Sequence, residues 1–158
     1  MATLKEAAEA FLACRRIAVT GVSHAPAGHG GNTVFQRLKA RGYEVFAVNP
    51  NAPKAEGVRT YPSLAAIPGG VEAVVIATRP DHAEATMREA VALGVKRVWM
   101  HRAIGPGSVS AAAARFGREH GVAVIEGGCP LMFGAAADPV HRVMCVLLQL
   151  AGKVPRRV

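Results

Sequence analysis

The sequence predicts an α/β fold: a Rossmann-like, doubly wound parallel sheet of about five strands with helices on both faces. Apolar strand segments alternate with helical segments along the chain, and the short connections call for right-handed crossovers. Residues 73–78 are apolar almost throughout, which is typical of a parallel strand covered on both faces. We expect strand order 3-2-1-4-5, with a ligand crevice at the carboxyl edge where strands 1 and 4 part.

The first half of the chain opens with a helix and then alternates. Thr3, with Glu6 three positions later, forms a capping box that predicts the N-terminal helix. Farther on, Asn32 or Thr33 caps a helix that Gly42 ends. The predicted elements are, in order, a helix at 3–14, a strand at 16–22, a loop at 23–31, a helix at 32–41, a strand at 44–48, a turn at 49–53 and a short helical segment introduced by residues 61–64.

The second half repeats the same alternation. Pro80 suits the first turn of a helix, and Gly94 suits its end. The predicted elements are strands at 73–78, 97–101 and 122–125 and helices at 80–93, 107–120 and 139–150. Repeats and linkers are absent from the sequence, so all 158 residues are expected to form one domain.

The composition restricts partners and compartment. A net charge of +8 favours anionic partners, although a general excess of surface arginine explains it equally well. The low aromatic content, 5%, favours a small polyanion in one pocket over nucleic acid. Three cysteines match no metal or disulfide spacing, which predicts a reducing compartment. Since no signal peptide or membrane-spanning stretch is visible, we expect a cytoplasmic protein.

The end of the first predicted strand is the best candidate for a phosphate site. Gly21 lets the backbone approach a phosphate closely, and Ser23 supplies a hydroxyl. The helix that opens at Asn32 directs free N–H groups and its dipole toward an anion. Gly21 is not followed by the rest of the dinucleotide fingerprint, and Asn49 stands where a carboxylate would hold a ribose. The sequence therefore predicts a nucleotide other than NAD; the alternative is a surface loop.

Two further strand ends carry polar residues. Asn49 offers a donor and an acceptor without negative charge, and Pro50 fixes the turn. Arg79, after Thr78, is placed to pair with a ligand phosphate. Ordinary turn chemistry and a solvated arginine are the structural alternatives.

Several residues suggest chemistry without a recognisable arrangement for it. His101 has no evident acid or metal partner, and Cys129 has no activating base. We therefore favour a structural role for both. The six histidines show no metal-ligand spacing, and no Walker A or Gly-x-Ser-x-Gly motif is present.

Five segments match a known family in order and spacing: IAVTGVS at 17–23, GYEVFAVNPN at 42–51, GVRTYPSL at 57–64, VWM at 98–100 and CP at 129–130. Together they resemble the small, single-domain bacterial and archaeal CoA-binding proteins. These proteins are similar to the CoA-binding domain of the succinyl-CoA synthetase alpha subunit. The resemblance spans about residues 10–150.

The resemblance implies a Rossmann-like fold and a set of CoA contacts. The expected phosphate contacts are Gly21, Val22 and Ser23. The adenosine part is expected beside Asn49, Pro50, Tyr61 and Ser63, with Thr78 and Arg79 closing the site and Lys54 as a further basic contact. His101 departs from the family, which commonly has glutamine there.

The larger synthetases that share this domain use a second domain with a phosphorylated histidine, for which this chain has no room. We therefore expect non-catalytic binding of CoA or an acyl-CoA, as a carrier, a sensor or a partner subunit. The alternatives are a detached acyl-CoA ligase subunit, a thiol-dependent enzyme at Cys129, or a nucleotide-responsive DNA-binding regulator. A homo-oligomer also remains open.

Overall fold

A computed structural model describes residues 2–25, 30–103, 105, 107–134, 137, 139–152, 154 and 158. Within these residues, one sheet carries helices on both faces. The strands are β1 Arg16–Thr20, β2 Glu44–Val48, β3 Lys54–Ala55, β4 Val58–Tyr61, β5 Ala73–Ile76, β6 Arg97–Met100 and β7 Ala123–Glu126. The α-helices are α1 Leu4–Leu12, α2 Gly30–Ala40, α3 Pro80–Ala92, α4 Ala111–Glu119 and α5 Pro139–Leu150, and a 3-10 helix covers Pro130–Met132.

The strands confirm the predicted fold class but not the predicted count or order. In the part of the chain that the structure describes, seven strands lie in the order β3-β4-β2-β1-β5-β6-β7, and all neighbours are parallel except β3 and β4. The third predicted strand is β5, which pairs with β1 and not with β2. Because β4 occupies the outer edge of β2, the chain crosses back to the free edge of β1. The switch point therefore lies between β1 and β5.

The two additional strands form a hairpin that the sequence reading did not anticipate. Glu56 and Gly57 both have positive φ, 51° and 72°, as a two-residue type I′ turn requires. This turn brings β3 antiparallel to β4, with Ala55 opposite Val58. The prediction of a short helical segment introduced by residues 61–64 is wrong. Turns occupy that region instead, with Ile67 N donating to Leu64 O at 3.1 Å.

Two hydrophobic clusters cover the sheet. One packs α1, α2, the 3-10 helix and α5 on one face, and the other packs α3 and α4 on the opposite face. Trp99 is fully buried in the first cluster, where its ring meets Phe11 edge-on at 5.4 Å. Its indole N–H donates to Gly127 O at 2.9 Å, so the polar atom of this core residue is satisfied.

The first and last helices match the sequence prediction closely. Glu6 N donates to Thr3 Oγ1 at 3.3 Å, and Thr3 N donates to the Glu6 carboxylate at 2.7 Å, which completes the capping box. α5 buries Cys145 and Leu148 and leaves a row of apolar side chains exposed on its other side. None of the described helices has the length and apolar character needed to cross a membrane.

Two charged side chains, Glu72 and Arg16, connect the chain segments at the amino edge of the sheet. The Glu72 carboxylate accepts hydrogen bonds from Arg16 N and Arg15 N, both at 2.8 Å. The Arg16 guanidinium donates to Gly70 O at 3.0 Å and to Pro68 O at 2.6 Å, and it pairs with Glu44 at 2.5 Å. The backbone N–H groups of Arg16 and Arg15 hold the pKa of Glu72 below its usual value.

We expect Glu72→Gln to lower the melting temperature at pH 7. A carboxylate whose pKa is lowered on folding stabilises the protein above its ordinary pKa of 4.5, and that stabilisation fades as pH falls through the lower folded value. The gap between wild type and variant should therefore close as the pH falls below the ordinary pKa of 4.5. Glu119→Gln, at the exposed end of α4, is the control. A gap independent of pH would contradict the role of the charge.

Candidate functional site

A cleft of about 520 Å³ opens at the carboxyl edge of the sheet, between the ends of β1, β2 and β5 and one side of α3. Its size is within the range of small-molecule sites, roughly 300–1,000 Å³. This is also where doubly wound sheets bind ligands. The cleft is lined by Thr20, Gly21, Ser23, Val48, Asn49, Pro50, Asn51, Pro62, Ser63, Ala77, Thr78, Arg79, His82, Ala85, Thr86 and Glu89.

Gly21 is the point where backbones approach most closely. Its φ is 74°, and a Cβ added there would lie 2.5 Å from Ala77 O. Its N–H donates to Val48 O at 3.1 Å. A side chain at Gly31, inside α2, would likewise lie 3.0 Å from Gly21 O. The absence of side chains at both positions lets α2 begin directly against the end of β1.

Asn32 fixes the loop that follows β1. Its side chain is buried, and its Oδ1 accepts from Ser23 N at 2.9 Å. Its Nδ2 donates to Ser23 O at 2.7 Å and to the Glu56 carboxylate at 2.6 Å. Glu56 also accepts from Gln36 Nε2 at 2.6 Å, and these two hydrogen bonds, that of Asn32 first, lower its pKa. The predicted binding residue Asn32 thus holds Ser23 and does not line the cleft.

Asn49 has a similar holding role while lining the cleft. Its Nδ2 donates to Val22 O at 2.9 Å, and its Oδ1 accepts from Asn51 N at 2.8 Å. Its backbone N–H donates to Tyr61 O at 2.9 Å. The side chain therefore ties the end of β2 to the loop after β1.

Thr78 presents the clearest unused polar group in the cleft. Its Oγ1 is buried, and it has no hydrogen-bond partner within the described structure. Thr20, also in the cleft, differs because its Oγ1 accepts from Ala77 N at 3.3 Å and lies 3.5 Å from Val75 O. Since buried hydroxyls in proteins are normally paired, this unpaired hydroxyl on a cleft-lining residue is suited to meet a polar ligand atom if the side chain turns toward the cleft.

Arg79 lies at the mouth of the cleft, and its guanidinium is paired with a neighbour. The side chain is 78% exposed, and Nη2 lies 2.6 Å from Asp81 Oδ2. This hydrogen bond lowers the pKa of Asp81 and raises that of Arg79. A ligand phosphate would therefore have to share or displace Asp81.

The wall of the cleft that α3 forms was not identified from the sequence. His82, Thr86 and Glu89 line the cleft from this helix, and their spacing of four and three residues places them on one helical face. That spacing was visible in the sequence, but the sheet order needed to direct the face toward the cleft was not.

The structure brings seven predicted residues to the cleft and places four elsewhere. Those in the cleft are Gly21, Ser23, Asn49, Pro50, Ser63, Thr78 and Arg79. The others are Val22, Asn32, Lys54 and Tyr61: Val22 is core, Lys54 is exposed on β3, and Tyr61 packs on Phe46 with ring centroids 5.9 Å apart. Gly28, in the loop predicted at 23–31, lies outside the described residues. Ligand contacts of all eleven remain predictions.

His101 and Cys129 lie outside the cleft lining. His101 is buried, and burial lowers its pKa to about 4, so the ring is neutral near pH 7. It packs against the start of α2, where a Cβ added at Gly30 would lie 2.7 Å from its Cε1. Cys129 is buried at the start of the 3-10 helix.

The sequence profile of a family described as "CoA binding domain" matches residues 15–135. This chain belongs to that CoA-binding domain family. The matched residues contain β1 to β7 and thus every strand end that forms the cleft. The resemblance drawn from the sequence segments is confirmed.

Among curated proteins, the chain is similar to the alpha subunit of an ADP-forming acetate–CoA ligase II of Pyrococcus furiosus. The two are 36% identical over 89 residues, which cover 56% of this chain and 19% of the ligase subunit. This CoA-binding domain thus spans about a fifth of the length of its curated relative.

Solved structures of similar size share the fold. A hypothetical protein from Pyrococcus horikoshii OT3 superposes with a TM-score of 0.72 at 27% identity, covering 80% of this chain and 86% of that one. A conserved hypothetical protein from Pyrococcus furiosus has a TM-score of 0.60 at 34% identity, covering 70% and 90%. This fold therefore also makes up most of a small chain in those two proteins.

Proposed function

We propose that this chain binds CoA or an acyl-CoA in the cleft and acts without catalysis of its own, as a carrier, a sensor or a partner subunit. The observation that carries the proposal is the family match over residues 15–135, which include every strand end around the cleft. Family membership supports the ligand class, and the geometry of the cleft supports the proposed location.

The cleft residues fit the chemistry of CoA. CoA offers an adenosine with a 3′-phosphate, a diphosphate and a pantetheine arm. The Ser23 hydroxyl accepts from Ala25 N at 3.1 Å and can still donate to a phosphate or ribose oxygen. The Thr78 hydroxyl has no partner among the described residues, and Arg79 supplies a cation at the mouth. Asn49, at the end of β2, lacks the carboxylate with which dinucleotide sites hold a ribose diol. These features favour CoA over NAD.

The non-catalytic part of the proposal rests on where the reactive side chains lie. Cys129 and His101, the two candidates for chemistry, are both buried and lie outside the cleft lining. A thiol buried away from the cleft is poorly placed to act as a nucleophile on a ligand bound there. Binding without turnover is therefore the simplest activity for this site.

A second candidate is a subunit of an acyl-CoA ligase. The similarity to a protein named as a ligase alpha subunit favours it.

An assay of the chain alone tests whether it is an enzyme by itself. The purified chain, given acetyl-CoA, ADP and phosphate, should form no ATP and release no CoA thiol. Product formed by the chain alone, and lost in Cys129→Ser, would replace the binding proposal with an enzyme.

Calorimetric titration tests the ligand directly. We expect CoA to bind at least tenfold more tightly than NAD, because the fingerprint glycines and the ribose carboxylate are missing. Mass spectrometry of ligand released from the purified protein gives an independent reading of the acyl group. Tighter binding of NAD than of CoA would refute the proposed function.

We expect Thr78→Val to separate binding from stability. Removing a buried hydroxyl that has no partner should leave the free energy of unfolding unchanged or raise it. CoA affinity should fall about two- to tenfold, as for a lost hydrogen bond of ~0.5–1.5 kcal/mol. The matched control, Thr20→Val, removes a hydroxyl with protein partners and should destabilise the fold. CoA affinity unaffected by Thr78→Val would exclude Thr78 as a contact.

We expect Arg79→Ala to weaken CoA about tenfold, because a charge-assisted contact to phosphate is lost. Asp81→Asn should bind CoA at least as tightly as wild type, since Asp81 no longer competes for the guanidinium. Both effects should shrink at high salt because the side chains are exposed. Comparing CoA with dephospho-CoA shows whether Arg79 serves the 3′-phosphate. Equal CoA affinity in Arg79→Ala and wild type would leave Arg79 a solvated charge.

A further inference from the structure

We propose that Glu56, in the β3–β4 turn, is a positioning residue for the cleft and holds Ser23 in place through Asn32. This inference rests on the proposed function for its ligand. Glu56 does not line the cleft, and its role would be to fix the loop after β1 before the ligand arrives.

The hydrogen bonds form an uninterrupted chain from the turn to the loop. The Glu56 carboxylate accepts from Asn32 Nδ2 at 2.6 Å. The same Nδ2 donates to Ser23 O at 2.7 Å, and Asn32 Oδ1 accepts from Ser23 N at 2.9 Å. Both backbone groups of Ser23 are thus held by one side chain, at a residue that lines the cleft and whose hydroxyl accepts from Ala25 N at 3.1 Å.

The carboxylate also favours one orientation of the Asn32 amide. An ionised carboxylate is only an acceptor, so it must meet the NH₂ group of the amide. The amide oxygen is then directed to Ser23 N. Because Asn32 is buried, a reversed amide would place its oxygen against both the carboxylate and Ser23 O. Glu56 and the backbone groups of Ser23 therefore favour the same orientation of the amide, and Glu56 adds a charged acceptor that holds Nδ2 in place.

The backbone at Glu56 supports a role for its side chain. Its φ of 51° lies in the left-handed region, which glycine and asparagine adopt more readily than glutamate. A turn selected for its backbone alone would carry one of those residues. The hydrogen bonds from Asn32 and Gln36 offset the unfavourable conformation.

The test uses Glu56→Asn, which suits the turn but is too short to make the same contact. In the ligand-free protein, hydrogen exchange of Ser23 N–H should quicken about tenfold, as for a weakened hydrogen bond. Exchange of Gly21 N–H, which donates to Val48 O, should not change. CoA affinity should fall about three- to tenfold while the melting temperature stays close to that of wild type.

Two further variants distinguish positioning from a general structural effect. Gln36→Leu removes the other partner of Glu56 and should leave CoA affinity within twofold of wild type. In a double-mutant cycle, Glu56→Asn added to Asn32→Ala should cause no further loss of affinity, since Glu56 acts through Asn32. Additive losses, or unchanged Ser23 exchange in Glu56→Asn, would overturn the proposal.

The exchange measurement needs no ligand, so it separates the two proposals. Failure of wild type to bind CoA would refute the proposed function, whatever Ser23 does. If wild type binds CoA and the Glu56→Asn variant binds it equally well, the proposed function stands and the positioning role of Glu56 is wrong.

Discussion

The close approach of three strand ends at Gly21 is the constraint on which the site depends. Gly21 lies so near to Ala77 O that any side chain would collide with the backbone. Its backbone N–H also joins the end of β1 to the end of β2 through Val48 O. The start of α2 packs against the same point, and the cleft opens beside it. The cleft in which the ligand is proposed to bind thus lies directly beside tightly packed backbone.

The electrostatic character of the cleft is milder than the net charge of the chain suggests. Arg79 is paired with Asp81, and Glu89 on the α3 wall accepts from Ala65 N at 3.0 Å. The overall charge of +8 is therefore not concentrated at the candidate site. Recognition would depend on hydroxyls, backbone groups and one arginine that must exchange partners. Such a site favours shape and hydrogen bonding over bulk attraction.

Local patterns in the sequence sufficed for most elements. The strand at 44–48 and the helix at 139–150 have the expected bounds, since apolar periodicity and the flanking glycine or proline mark them. The strand order could not be read in this way, because parallel pairing joins residues far apart in the chain. The β3–β4 hairpin escaped because its strands are very short and its turn uses a glutamate.

For the site, too, local sequence features were predicted correctly and long-range relations were not. Residues at strand ends, such as Gly21 and Thr78, were found because the fold class places them at one edge. The α3 wall required the true sheet order. The internal bonds of Asn32 and Asn49 could not be foreseen, since an asparagine in sequence does not reveal which of its hydrogen bonds the protein itself will use.

The hydrogen-bonded group around Glu72 and the cleft lie at opposite ends of the same strands. β1 runs from Arg16 to Thr20, a separation of about 13 Å at ~3.3 Å per residue. Changes that far apart usually combine without interference. This geometry makes the domain a good starting point for directed evolution: stabilising substitutions can be accumulated at the amino edge first, and that reserve can then tolerate changes of ligand preference at the carboxyl edge.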